Sequence, residues 1–182
     1  MTTSPTWLDN WMAVGRAPEA IPLNEDLNED PLDLSPVAAQ DRWAYRLQQL
    51  ATQGFASWLQ EREPSLLCSR LDNGAIPAAP IQVGDFRVCL IPTSLNEDEI
   101  AIPQAAVEQA DSTAHFYVAI AVDEEAEVAS LVGFLPYNEL TDLCDRIALD
   151  ADHTYPLPTA ELNPDLNALL LFLQCLSPSA IA

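Results

Sequence analysis

The run His115-Phe-Tyr-Val-Ala-Ile-Ala-Val122, the acidic step Asp123-Glu124-Glu125 and the returning run Ala126-Glu-Val-Ala-Ser-Leu-Val-Gly-Phe-Leu135 decide the fold. Side chains alternate faces along a strand, so Phe116, Val118, Ile120 and Val122 share one face while Tyr117, Ala119 and Ala121 take the other. Two such runs joined by a short charged turn read as an antiparallel hairpin. A second hairpin precedes it. Ile81-Gln-Val83 and Phe86-Arg-Val-Cys-Leu-Ile91 flank Gly84-Asp85, a two-residue connection with glycine first. The stretch Ile100–Pro103 is ambiguous, and a short element surrounds Asn138 to Cys144.

Helices are expected at both ends of this strand-rich middle. Ser35 can cap the orphan amides of a first turn and Pro36 suits the first helical position. Trp43, Leu47, Leu50, Ala51, Phe55, Trp58 and Leu59 then recur at one-face spacing until Glu63-Pro64 ends the helix. This predicts a helix over about residues 36–62. Leu166, Leu169, Leu170 and Leu173 form a second stripe, predicting a helix over about 164–176, with Pro178 beyond it. The expected fold is α+β, an antiparallel sheet of about four to five strands (near 81–83, 86–91, 115–122 and 127–135) packed by these two helices. The expected organisation is an acidic arm over 1–35, one globular domain over 36–177 and a tail over 178–182.

Composition suits a folded chain, with 182 residues, 49% of them hydrophobic and 19% charged. The charge balance is lopsided: 28 acids face 7 basic residues, all arginine, for a formal net charge of -21. Nucleic-acid and anionic-membrane binding rely on Lys and Arg at phosphates, so both are excluded as direct partners. A basic protein is the partner such a charge attracts; the plainer reading is solubility alone. Residues 41–70 carry four Arg and three acids and form the one part that is not acidic. Leu-Asn-Glu-Asp occurs three times, at 23–26, 27–30 and 95–98. The repeats lack the glycine and the alternating ligands of a calcium loop, so no metal is assigned.

The common catalytic signatures are missing, including GxSxG, GxGxxG, GxxxxGK[ST] and HExxH. No catalytic residue and no cofactor is assigned. Among the minor candidates, His115 reads as a sheet residue. His153, between Asp150, Asp152 and Tyr155, reads as an exposed turn or, alternatively, as a base beside carboxylates, with Cys144 as a candidate nucleophile. The four cysteines, Cys68, Cys89, Cys144 and Cys175, form no CxxC pair. With no basic-then-apolar leader, they read as free thiols in a reducing cytoplasm. In the arm, Trp7, Leu8, Trp11 and Met12 fall on one face of a short helix that must dock to persist, on its own domain or on a partner. Glu25, Asp26, Glu29 and Asp30 supply an acidic patch next to it.

The segments Gly84–Pro92, Ile102-Pro103 into His115–Asp123, Gly133–Leu140 and Thr154–Asn167 resemble an uncharacterised cyanobacterial family, DUF1822, over about residues 36–177. The resemblance implies a cytoplasmic protein with no established activity. It also implies a short member or one lacking a C-terminal portion, because members often continue further. No functional residue comes with it.

The expectation is therefore a non-enzymatic, acidic, protein-binding adaptor or regulator with a basic partner, recognised through Trp7, Leu8, Trp11, Met12, Glu25, Asp26, Glu29 and Asp30. The alternatives are a small enzyme around His153, Asp150, Asp152 and Cys144, a nucleic-acid mimic that occupies a DNA-binding or transcription protein, and a homodimer that buries its tryptophans.

Overall fold

The computed structural model describes residues 20–23, 42–70, 80–94, 97–108, 114–123 and 128–175. In chain order these form β1 (Ala20–Pro22), α1 (Arg42–Arg62), β2 (Cys68–Arg70), β3 (Ile81–Val83), β4 (Phe86–Thr93), β5 (Glu99–Pro103), α2 (Gln104–Glu108), β6 (Phe116–Asp123), β7 (Val128–Pro136), α3 (Tyr137–Cys144), β8 (Thr154–Pro158), a 3-10 turn (Thr159–Glu161) and α4 (Leu166–Cys175). The α+β class holds. Ser35, Pro36 and the arm residues Trp7, Leu8, Trp11, Met12, Glu25, Asp26, Glu29 and Asp30 lie outside the described residues.

Both expected hairpins form. β3 and β4 turn on Gly84, whose φ of 56° lies where an L side chain is strained. β6 and β7 pair antiparallel from Phe116↔Pro136 to Asp123↔Val128. The sheet is larger than expected, with six strands in the order β1-β7-β6-β4-β3-β2. It is also mixed rather than antiparallel: β4 and β6 run parallel, from Val88↔Phe116 to Thr93↔Ala121. Residues 94–115 make this geometry available, because a parallel return needs a long crossover. They carry β5 and α2, and β5 pairs antiparallel with β8 in a separate two-stranded sheet.

β1 adds an edge strand beside Val128–Ser130, and Ile21 is buried with the core, so residues ahead of 36 contribute to the sheet. Further along the same edge of β7, Phe134 and Asn163 exchange backbone hydrogen bonds of 3.0 and 2.9 Å. β4 also runs past Pro92, beyond the expected end at Ile91. The His115 amide donates to the Arg87 carbonyl, so odd-numbered groups of β4 face β6. The Pro92 nitrogen therefore points to the other side, where β3 pairs only as far as Val88 and no donor is needed.

Period-2 alternation divides the side chains into two cores. Val88, Leu90, Phe116, Val118, Ile120 and Val122 join Phe55, Trp58 and Leu59 of α1 and Leu169 and Leu173 of α4 on one face. Cys89, Ile91, Tyr117, Ala119 and Ala121 join Ile100 and Ile102 of β5, Val107 of α2, Leu140 and Leu143 of α3, and Leu157 of β8 on the other. The sheet is thus the middle of three layers. One register shift refines the pattern. Ala119 pairs with Gly133 but Ile120 with Leu131, leaving Val132 as the extra residue of a bulge. The phase changes there, so Leu131 and Phe134 both reach the helical face. Phe134 meets Phe116 at 6.1 Å, and Phe172 of α4 stacks on Phe116 at 5.9 Å.

On α1 the buried positions run from Ala51 to Leu59. Leu47 and Leu50 are half-buried. Trp43, which shares the apolar stripe by spacing, is 59% exposed because the helix meets the sheet only through its later turns. Gly54 sets the depth of that contact, since a Cβ there would collide with the Cβ of Ala129 on β7.

Gly54→Ala tests this packing. Helix propensity alone favours alanine by about 1 kcal/mol. Overpacking against Ala129 opposes it with about 1–3 kcal/mol. Urea unfolding is expected to show a net loss for Gly54→Ala and a partial recovery for Gly54→Ala combined with Ala129→Gly. A stabilised single variant would contradict the close approach.

Candidate functional site

The two-stranded sheet positions an acidic surface among the described residues. Ile100, Ile102, Tyr155 and Leu157 point inward, while Glu99 and Ala101 of β5 and Pro158 of β8 are exposed. The Thr159 amide donates to the Asp98 carbonyl at 2.8 Å and the Gln104 amide to the His153 carbonyl at 3.0 Å, extending the ladder at both ends. By parity the Tyr155 and Leu157 amides face β5, and the nitrogens of Thr154, Pro156 and Pro158 face the opposite edge. The Thr154 amide is taken by Asp150 Oδ1 at 2.8 Å. The two prolines have no donor at all. That edge of β8 presents acceptors only.

Beside it lies an open groove of about 560 Å³ lined by Glu97, Asp98, Glu99, Ile100, Ala101, Asp150 and Pro156. Four acidic residues line it, from segments about fifty residues apart. Two are fixed by local donors. Thr93 Oγ1 and the Ser94 amide donate to Glu97 Oε2 at 3.0 and 3.4 Å. Asp150 accepts the Asp152 amide at 3.0 Å on Oδ1 and the Thr154 hydroxyl at 2.6 Å on Oδ2. The Thr154 hydroxyl first, then its amide, hold the Asp150 carboxyl below the usual carboxylate range. Among the described residues, no group of three or more His, Cys, Asp and Glu is arranged to hold a metal ion.

The candidate catalytic residues are distributed differently. Asp150, Asp152 and His153 share one exposed turn, in which His153 adopts a left-handed φ of 57° and donates its amide to the Asp150 carbonyl at 3.3 Å. Asp150 is occupied in closing that turn. Cys144 sits half-buried at the end of α3, where burial, then the charges of Asp145 and Glu108, push its thiol up to about 11, away from a thiolate. Its neighbourhood includes Tyr155, whose hydroxyl donates to Glu108 Oε1 at 2.7 Å and is pushed up to about 12 by that bond and then by burial. Gln104 Nε2 donates to Glu108 Oε2 at 2.9 Å, so Glu108 ties α2 to β8.

His115 stands just before β6, edge-on to Phe86 at 5.6 Å. The Arg87 amide donates to its Nδ1 at 2.9 Å, which requires the lone pair of a neutral ring. Burial and then the Arg87 charge lower its pKa. Among the described residues no helix is long and apolar enough to cross a membrane.

The groove was missed in the sequence although one signal for it was present. The third Leu-Asn-Glu-Asp copy ends in Glu97 and Asp98. What the linear order hides is the pairing of β5 with β8, which adds Asp150.

Two pH dependences follow. Asp150 has a depressed folded pKa, so its contribution to stability is present above the ordinary value of 3.8 and is lost as pH falls through the folded value. Thermal melts of Asp150→Asn should lie below wild type at neutral pH, with the gap closing in acid; a constant gap would contradict the turn. His115 also has a depressed pKa, so its contribution is present above 6.5 and is lost as acid charges the ring. The wild type should lose stability between pH 7 and pH 5 by a component that His115→Gln lacks in the same melts.

A search of curated proteins and of solved structures returns no match. A family model described as a protein of unknown function matches residues 37–181, a span that contains α1, the two sheets except β1, and α4. The chain belongs to that family, DUF1822.

Proposed function

We propose that this protein is a non-enzymatic adaptor or regulator in the cytoplasm, and that it binds a basic, extended segment of a partner protein in the groove over β5 and β8. The observation that carries this reading is one groove lined by Glu97, Asp98, Glu99 and Asp150 together with Ala101 and Pro156. Carboxylates suit guanidinium and ammonium groups, and small apolar side chains such as Ala101 and Pro156 suit the methylene stems of Arg and Lys. The net charge of -21 adds long-range attraction for such a partner. The acceptor-only edge of β8 points the same way, because it matches a ligand rich in donors. The arm residues Trp7, Leu8, Trp11 and Met12, with Glu25, Asp26, Glu29 and Asp30, belong to the same proposal as a second contact.

A fluorescent octa-arginine peptide titrated against the full chain tests the groove. Exposed ion pairs contribute about 0.2–1 kcal/mol each. Replacing two of them with like-charge contacts in Asp98→Lys/Glu99→Lys should weaken binding about tenfold, with a shallower salt dependence. Glu139→Lys/Asp142→Lys on the exposed side of α3 changes the charge equally and serves as control. Equal losses in both pairs would reduce the effect to net charge. Binding indifferent to salt would remove electrostatics from the proposal altogether.

A further inference from the structure

We draw no further inference here: the strongest candidate, the uncharged outer face of α4 around Leu171, which is 58% exposed, is an unpartnered apolar surface, and nothing in the structure shows what covers it.

Discussion

The parallel ladder between β4 and β6 cannot be closed by a tight turn, so the chain must leave the sheet after Thr93 and travel before re-entering at Phe116. Both strands carry apolar side chains on both faces, so each face needs a cover. α1 and α4 cover one. The crossover itself contributes to the other, laying Ile100, Ile102, Ala106 and Val107 against Cys89, Ile91 and Tyr117. β5 cannot join the main sheet beside β4, whose two neighbours are β3 and β6. It takes β8 as its ladder partner instead, and the turn before β8 brings Asp150 to Glu97, Asp98 and Glu99. The acidic groove is thus a consequence of how the central pair is connected.

That logic explains which features could be read from the amino acids alone. The β6–β7 and β3–β4 hairpins were legible because their partners are adjacent and their turns are short. The helical stripe from Ala51 to Leu59 was legible because its period is local. Pairings between distant segments left no such trace. Ile100–Pro103 is too short to declare its type, and its partner lies more than fifty residues away, so both the second sheet and the parallel direction of β4 against β6 stayed hidden. Spacing alone also placed Trp43 with the buried stripe, yet whether a helix turn is covered depends on where the sheet ends. At the site, the grouping of Asp150 with His153 was visible because they share a turn. The role of Asp150 as an acceptor of three hydrogen bonds was not.

Gathering carboxylates in one groove works against folding, since like charges repel and the chain as a whole carries a net charge of -21. Local chemistry moderates that cost at two of the four positions. Glu97 receives a hydroxyl and an amide from Thr93 and Ser94, and Asp150 receives two amides and a hydroxyl. At Asp150 these bonds favour the ionised form. At both positions the bonds restrain the carboxylate from swinging away, which fixes part of the negative surface.

The same edge determines how a partner can engage it. Strand addition needs alternating donors and acceptors along an open edge. On β8 the Thr154 amide and carbonyl are already used by Asp150, and Pro156 and Pro158 supply no N–H, so a partner strand would find only the two proline carbonyl oxygens. Main-chain pairing there is blocked, as it is on edges that resist aggregation. Recognition in the proposed mode therefore falls to side chains reaching the carboxylates across the groove. Its selectivity would come from the spacing of cationic groups along the partner, not from the partner's backbone.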